Sequence, residues 1–548
     1  MRDGNTEPLF RTSVIVGIVL AGSLITLWAM GAMVAQGSQG FRINLPRSDV
    51  LTRRTGKQVT HYPDSWPGFS GNVLLGLPLM SRSGSANYPN CRFGVGGNVS
   101  GFNVATLDVG WHMDWSAQLN PPRPNGAEYV QVVRLKPELY GYSFTPITNV
   151  LLSMVDADLG AVWMIGNEPD SPFQDKLWPE EYARAYHHLY YLIKERDPSA
   201  RIGAGSIVQP TPLRFQYLDR FLAAYRQYYG EQPPVDLWSI HSYILREIDA
   251  HDPDADPNGA RYSVWGAYVP PGFTATRGVL YTEADMFSTM IFRQRLIDFR
   301  TWMRDQGYRD KPLYITEYGE LFPYPPYILG DPYVDKNGVP ITEGRVAAFM
   351  TSTFDILLNL TDAAIGYPAD ANRLVQRWLW YSVSDAGFGG LLFDPSTHER
   401  LPLGNVFYSY TQAISSSVDL LAVRVVADPA AISDTGQLQM TTLKATISNI
   451  GSISITKPIT VVFYSGQPPT GTLIGMRMIT SALNGCAATA GVSLTWPNLY
   501  AGAHPMYIEV DPGDTISETS KVNNTATGFA LIATQHVYLP TIAKNYSR

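Results

Sequence analysis

The sequence predicts an α/β fold, a (β/α)8 TIM barrel, followed by an all-β immunoglobulin-like sandwich, with a transmembrane or signal helix ahead of both. Three observations predict this order. Residues 1–36 contain one long uncharged stretch. Over residues 89–416, β-branched runs alternate with helical patterns, as they do in units that form parallel strands. From 418 to 534 the helical periods disappear and short alternating runs lie between turns, which is typical of a sandwich.

The apolar stretch runs from Ser13 to Ala35 and is long enough to cross a bilayer as a helix. Arg2 and Arg11 precede it, and positive residues favour the cytoplasmic side. We therefore expect the bulk of the chain to be extracellular, either secreted or anchored to the outer face of the cell membrane. Retention as an anchor and cleavage as a signal both remain open. A buried core helix is disfavoured because no amphipathic period is visible.

Residues 37–88 are rich in Gly, Ser, Pro and Asn and are interpreted as a spacer. Eight strands are predicted after it. Convincing helices lie between them: one begins at Pro179, with Glu180 and Glu181 in its first turn, and another ends at Gly307. The predicted strands are 91–99, 104–111, 129–136, 160–168, 200–208, 235–243, 312–319 and 375–383.

Charge and cysteine content exclude several classes of protein. The 548 residues carry 41 Lys+Arg against 48 Asp+Glu, a net charge of −7, and no basic run. A nucleic-acid partner is therefore not expected. Cys91 and Cys486 show neither metal-ligand spacing nor a disulfide framework, so we interpret both as buried small hydrophobic residues. We expect no cofactor and no metal, since the nine His are scattered without an HxH pair.

Two carboxylates are the candidate catalytic residues. In a barrel of this kind, chemistry takes place at the carboxyl ends of the strands. Glu168 ends the fourth predicted strand in WMIGNEPD, and Glu317 ends the seventh in LYITEYGE. Cleavage of a glycosidic bond requires one protonated carboxyl at the leaving oxygen and a second carboxylate near the anomeric carbon. The pair therefore predicts a glycoside hydrolase.

These residues resemble the four/seven superfamily, clan A of the glycoside hydrolases, and especially its bacterial glycosyl hydrolase catalytic-core type. The resemblance covers about 91–416. It implies a retaining mechanism in which Glu168 is the acid/base, Glu317 is the nucleophile and Asn167 binds the sugar 2-hydroxyl. It also implies substrate-binding roles for an aromatic or His on strand six and a Trp on strand eight. Those positions match His241, Tyr243 and Trp380.

Structural interpretations compete with these roles. Glu168 could stabilise the start of the following helix, and Glu317 could pair with Arg134. His241 and Tyr243 could be satisfied core groups, and either Trp378 or Trp380 could pack away from the site, since both share one face of their strand.

Glu320 and Glu283 are rival acids. Both are expected on loops, where a fixed geometry is harder to secure. We therefore expect neither to be catalytic.

Aromatic residues crowd the loops after the strands and predict sugar subsites. They lie in 111–115, which begins with Trp111, in 261–273 and in 319–333. A separate segment contains Asp254-x-Asp256-x-Asn258-Gly259, which resembles the first half of a calcium loop, but the twelfth position counted from Asp254 is Trp265 rather than Glu. An ordinary acidic turn is therefore the favoured interpretation of that segment.

Residues 440–526, with TLKATISNIGS and YIEVDPGD, resemble the CARDB type of extracellular β-sandwich module. That resemblance implies a spacer or surface-interaction role. The C-terminal tail, 535–548, has no role that the residues define. The leading hypothesis is thus a retaining glycosidase acting on a poly- or oligosaccharide. Its rival is a cell-surface carbohydrate-binding or adhesion protein without turnover.

Overall fold

The computed structural model describes residues 90–249, 266–322, 324, 333–335, 337–468 and 470–533. They belong to one compact unit, Leu77–Arg548. Four predicted features lie outside the described residues: the apolar segment, the spacer, the calcium-like segment and the C-terminal tail. Among the helices in the described part of the chain, none has the length and apolar character needed to cross a membrane.

The first part of the described chain forms an α/β unit around a curled ten-stranded sheet. Its order is β3-β2-β1-β10-β9-β8-β7-β6-β4-β5. All neighbouring strands pair in parallel except β4 and β5, which form an antiparallel hairpin. The strands are β1 Phe93–Gly96, β2 Trp111–Met113, β3 Glu128–Tyr129, β4 Gln131–Glu138, β5 Gly141–Thr145, β6 Val162–Ile165, β7 Arg201–Ile207, β8 Leu237–His241, β9 Leu313–Gly319 and β10 Arg377–Tyr381.

The curl follows from β3 and β4, which are consecutive in the chain and separated only by Val130. β3 pairs with β2 on one side, and β4 pairs with β6 on the other. A single stretch of chain, 128–138, thus contributes strands near both ends of the sheet order.

Helices alternate with the strands, as the sequence predicted. α2 starts at Pro179, where the missing N–H costs nothing, with Glu180 and Glu181 in its first turn. α3 ends at Gly230, whose φ of 76° gives the left-handed cap. The helices are α1 Thr148–Ala157, α2 Pro179–Arg196, α3 Pro212–Tyr229, α4 Thr289–Asp305, α5 Glu343–Asn359 and α6 Pro402–Gln412.

The strand predicted at 104–111 is wrong in its position. Residues Val104–Leu107 form a 3-10 helix, and β2 starts only at Trp111. Gly110 approaches the first strand so closely that a Cβ there would lie 2.4 Å from the Cα of Cys91. The apolar residues of 104–107 therefore pack as a turn beside β1 rather than as part of the sheet.

Side chains alternate between two cores. The inward face of the sheet carries a cluster that includes Trp111, Met164 and Leu379. The outward face packs against the helices and includes Trp163, Trp238, Trp378 and Trp380. A strand buried on both faces explains why these segments are continuously apolar in sequence.

The second part is a β-sandwich of a three-stranded and a five-stranded sheet, with orders β11-β13-β16 and β12-β18-β17-β14-β15. Its core contains Phe463, Trp496 and Ile508. The strands are β11 Leu420–Asp428, β12 Ala431–Ser433, β13 Gln439–Asn449, β14 Ile459–Ser465, β15 Thr472–Ile479, β16 Ala488–Leu499, β17 Gly502–Val510 and β18 Thr525–Ala533.

A disulfide joins the two parts and corrects the interpretation of the cysteines. Cys91 and Cys486 are buried, but they form a disulfide with a Cα–Cα distance of 5.9 Å across a sequence separation of 395. Beside it, Arg92 pairs with Asp370 at 2.7 Å and donates to the carbonyl oxygen of Ile450 at 3.1 Å. The start of β1 is therefore bonded, covalently and by hydrogen bonds, to the sandwich.

Candidate active site

Glu168 stands in a tight turn directly after β6. Gly166 has a φ of 85°, and Glu168 itself has a φ of 46°, so the chain turns through two left-handed residues within three positions. Asp175 holds the turn by accepting the N–H of Asn167 at 2.7 Å. The N–H of Glu168 bonds to the carbonyl of Ser206 at 3.0 Å. A left-handed non-glycine residue is strained, and such strain persists where the surroundings determine it, often at functional sites.

Glu317 approaches Glu168 from β9. β8 and β9 pair so that His241 lies beside Glu317 in register. The His241 Nδ1 is 2.8 Å from a Glu168 carboxylate oxygen and 3.6 Å from a Glu317 oxygen. Tyr243 donates its hydroxyl to Glu317 at 2.8 Å. Sequence analysis therefore chose four residues that the structure brings together: Glu168, Glu317, His241 and Tyr243.

The cluster is largely shielded from water. The exposed fraction of the side chain is 11% for Glu168, 14% for Glu317 and 0% for His241. Burial raises the pKa of Glu317 to about 7; the charge of Glu168 acts in the same direction, while His241 and the bond from Tyr243 oppose it. Burial lowers the pKa of His241, but the two carboxylates outweigh it, so that pKa is raised overall. Both raised pKa values favour retention of a proton on Glu317 or His241 towards neutral pH.

The same three side chains are the candidate metal ligands among the described residues. One ligand atom each from Glu168, His241 and Glu317 lies within 4.8 Å of the others. The His241 Nδ1 and one Glu317 oxygen are already engaged in hydrogen bonds inside the cluster. An imidazole with two carboxylates could bind a divalent cation, so removal of metal belongs among the tests of this site.

The remaining predicted substrate-binding residues differ in outcome. Asn167 is buried, and its side-chain oxygen has no hydrogen-bond partner among the described residues, which leaves an acceptor beside Glu168. Trp380 is fully buried on the outward face and donates to the carbonyl of Gly390 at 2.8 Å. Trp111 is fully buried inside the curled sheet and donates to the carbonyl of Arg92 at 3.1 Å. Both indole rings are thus packed in the protein interior, and their substrate-binding roles stay predictions.

Tyr381 and Trp115 are aromatic residues close to the two buried tryptophans in sequence, and Tyr381 lies near the charge of Glu317. Tyr381, next to Trp380, donates its hydroxyl to Asp385 at 2.5 Å. Burial, the bond to Asp385 and the nearby charge of Glu317 raise its pKa, so its hydroxyl stays protonated. The half-buried Trp115 packs edge-on against Tyr381, with ring centroids 5.4 Å apart. For Tyr381 strand alternation was the available signal, because neighbouring residues on a strand face opposite ways; Trp115 lies beyond the end of β2, where alternation gives none.

The competing structural interpretations find other partners. Arg134 pairs with Asp175 at 2.7 Å rather than with Glu317. Glu320 is buried and accepts the N–H of Phe322 at 2.7 Å; burial raises its pKa to about 7. No bond joins Glu320 to the cluster among the hydrogen bonds of the described chain. Of the predicted aromatic loops, 261–265 and most of 323–332 lie outside the described residues.

Comparisons with known proteins agree with this division of the chain. Residues 92–252 match the family model of the glycosyl hydrolase catalytic core, and residues 419–528 match the CARDB model. A search of curated proteins finds no match. The chain thus combines a segment similar to glycoside hydrolase cores with a CARDB-like sandwich.

Among solved structures, the chain is similar to a GH128 subgroup II endo-β-1,3-glucanase from Pseudomonas viridiflava, with 15% identity and a TM-score of 0.37 over 58% of this chain and 98% of that one. A subgroup I enzyme from Amycolatopsis mediterranei, solved with laminaritriose, has 15% identity and a TM-score of 0.34 over 59% and 100%. The CARDB domain of the PF1109 protein from Pyrococcus furiosus, solved with two metal ions, has 18% identity and a TM-score of 0.19 over 22% and 100%.

Proposed function

We propose that the protein is a retaining glycoside hydrolase that cleaves O-glycosidic bonds of a poly- or oligosaccharide by double displacement. The observation that carries the proposal is the spacing of Glu168 and Glu317, whose nearest carboxylate oxygens lie within 4.8 Å. Retaining enzymes hold their two carboxyl groups about 5 to 5.5 Å apart, whereas inverting enzymes leave about 6.5 to 9.5 Å for a water molecule. The match of residues 92–252 to glycosyl hydrolase cores supports the same class.

In this proposal Glu317 is the nucleophile. It lies within a strand of the sheet, and the hydroxyl of Tyr243 fixes one carboxylate oxygen at 2.8 Å. Attack at the anomeric carbon requires the ionised form, which Tyr243 and His241 favour. The covalent glycosyl-enzyme would form on the remaining oxygen.

Glu168 is the acid/base. It must carry a proton when the bond to the leaving group breaks and must accept one from water in the second step. The His241 Nδ1 lies 2.8 Å from a Glu168 oxygen and 3.6 Å from a Glu317 oxygen, so the charge on each carboxylate influences the protonation of the other two groups. Once substrate displaces water and Glu317 attacks, the proton must reside on Glu168. Asn167 offers its unpaired oxygen to a sugar hydroxyl nearby.

The proposal extends to the fold and the superfamily. Residues 128–138 pair with β2 through β3 and with β6 through β4. We therefore count β3 and β4 as one strand of a closed (β/α)8 barrel. In that count β6 is the fourth strand and β9 is the seventh. Glu168 follows the fourth and Glu317 lies in the seventh, which supports membership of the four/seven superfamily, clan A.

We also propose an extracytoplasmic location, secreted or held at the outer face of the membrane by the segment Ser13–Ala35. The disulfide between Cys91 and Cys486 supports it, because disulfides persist in oxidising compartments. The CARDB-like sandwich would then act as a spacer or surface-interaction module.

The experiment is a screen of the full-length chain on polysaccharides with different backbones, laminarin among them, followed by trapping with the 2-deoxy-2-fluoro glycoside of the hydrolysed sugar. We expect a stable adduct on the peptide that contains Glu317. Glu317→Gln should give neither turnover nor adduct. Glu168→Gln should retain activity only towards substrates with activated leaving groups.

Glu320→Gln is the control for both variants, since Glu320 is a buried glutamate three residues from Glu317. It should hydrolyse the substrate like the unmodified chain. An adduct on another residue, or products of inverted configuration in an NMR time course, contradicts the mechanism. Binding of a polysaccharide without any hydrolysis favours the rival, a carbohydrate-binding protein.

A further inference from the structure

A fully buried guanidinium lies beneath the site and belongs to none of the steps above. Arg214 is near the start of α3, and its side chain is 0% exposed. Removal of a charge from water is costly unless the group is paired and hydrogen-bonded. The partners of Arg214 therefore indicate what the residue holds in place.

The first partner is Asp170, which lies two residues after Glu168. The Arg214 Nε is 2.7 Å from an Asp170 oxygen, and both side chains are fully buried. The same carboxylate accepts the N–H of Val208 at 3.3 Å. This ion pair anchors the chain two residues after Glu168, at the end of the strained turn, while Asp175 holds the N–H of Asn167 before it.

The second partner is Glu247, also 0% exposed, which accepts from an Arg214 Nη1. Glu247 accepts further bonds from Thr211 at 2.6 Å and Gln209 at 3.0 Å. The Gln209 side chain in turn accepts the N–H of Leu245 at 2.8 Å and donates to the Leu245 carbonyl at 3.0 Å. This arm fixes the chain just after His241 and Tyr243.

The third arm donates from Nη2 to the carbonyl oxygens of Ala267 and Tyr268, the latter at 2.9 Å. The three nitrogens of one rigid fork thus reach three different segments: Nη1 and Nη2 donate hydrogen bonds, and Nε lies at ion-pair distance from Asp170. A lysine keeps the charge but cannot reproduce this geometry.

We infer, in an argument that rests on the proposed function, that Arg214 is a positioning residue. It fixes the orientation of the Glu168 side chain relative to the segment that carries Tyr243. Arg214 does not contact the reacting atoms; it acts through Asp170 and Glu247. Its loss should impair protonation of the leaving group more than attack by the nucleophile, because the Asp170 arm ends two residues from Glu168, while Glu317 is held by its own strand.

The test compares Arg214→Lys and Asp170→Asn with a matched control, Arg300→Lys. Arg300 is equally buried and donates to the carbonyls of Ile365 at 3.0 Å, Lys311 at 2.9 Å and Arg309 at 3.0 Å and to the sulfur of Met303 at 3.6 Å, with no carboxylate among these acceptors. Each full-length variant is assayed on laminarin, whose leaving group needs protonation, and on 2,4-dinitrophenyl β-laminaribioside, whose leaving group does not. We expect kcat on laminarin to fall at least tenfold in both site variants and at least fivefold more than kcat on the aryl glycoside, with KM changed less than threefold.

Arg300→Lys should lower the melting temperature without changing the ratio of the two kcat values. An unchanged ratio in a folded Arg214→Lys or Asp170→Asn overturns the inference, as does an equal change in Arg300→Lys. Asp170→Asn keeps the test available if Arg214→Lys does not fold.

A second readout needs no substrate. In the ¹⁵N-histidine-labelled chain, the imidazole signal of His241, identified by its loss in His241→Gln, should move in both site variants and stay in place in Arg300→Lys. If the unmodified chain hydrolyses neither probe, the NMR readout alone tests the inference. A His241 signal that stays in place in folded site variants then overturns the inference. The proposed function is tested separately, by the wider polysaccharide screen.

Discussion

Replacement of Tyr243 by Phe tests how the site controls the ionisation of Glu317. The variant removes one hydroxyl from a buried ring and leaves the 2.8 Å bond to Glu317 unmade. A hydrogen bond to a charged group contributes about 1.5 to 3 kcal/mol. Since one pKa unit corresponds to about 1.4 kcal/mol, the variant should shift the pKa of Glu317 by about one to two units.

The direction follows from which form accepts the bond. Tyr243 donates to the carboxylate, so it favours the ionised form and lowers the pKa of Glu317, while burial raises it to about 7. Loss of the hydroxyl must therefore raise that pKa further. Because the nucleophile acts only when ionised, the acidic limb of kcat/KM, expected near pH 7 in the unmodified chain, should move to higher pH.

The assay is kcat/KM from about pH 5 to pH 9 on an activated aryl glycoside, for which protonation of the leaving group is not limiting. At pH values below the acidic limb, kcat/KM of Tyr243→Phe should be about ten- to hundredfold lower than that of the unmodified chain. Well above the limb, the loss in kcat/KM should be small. Tyr217→Phe is the matched control, since that buried hydroxyl donates at 2.9 Å to the carbonyl of Leu177 instead. An acidic limb that stays in place, or one that moves to lower pH, refutes this account of the site.

Three further outcomes are expected. Cys91→Ser combined with Cys486→Ser should lower the free energy of unfolding by about 2 to 5 kcal/mol and leave kcat within twofold, as measured by chemical denaturation and turnover; a large loss of kcat in a folded protein would contradict it. Arg92→Met leaves Asp370 buried without its ion-pair partner and should cost about 3 to 5 kcal/mol of stability, whereas Asp156→Asn at an exposed ion pair should leave the unfolding midpoint almost unchanged. Dialysis against EDTA should leave turnover unchanged, and restoration of lost activity by a divalent cation would instead favour a metal at the glutamate cluster.

Local sequence patterns predicted most strands of the α/β unit. Seven of the eight strand segments overlap strands of the sheet at nearly the expected positions, because each combines an apolar run with turn residues at its ends. The remaining segment, predicted at 104–111, belongs to the sheet only at Trp111. The hairpin of β4 and β5 was not expected, since its second strand, Gly141–Thr145, is half-exposed and has no apolar run.

The candidate site also shows how far local sequence patterns can predict a structure. Glu168 and Glu317 were found because a polar residue at the end of an apolar strand is conspicuous. Trp378 and Trp380 were correctly placed on one face of β10, but a strand buried on both sides gives no sign of which face is inward. Arg214 was missed because its partners come from three separate loops. Its sequence neighbours are those of an ordinary helix start.

The bond between Cys91 and Cys486 also makes most of the described chain a closed covalent ring. Any single cut by a protease in a loop between those two positions opens the ring without releasing a fragment. Such a nicked molecule would migrate as one species without reductant and as two with it. The disulfide thus keeps the sandwich attached to the α/β unit after a loop between the two cysteines has been cleaved.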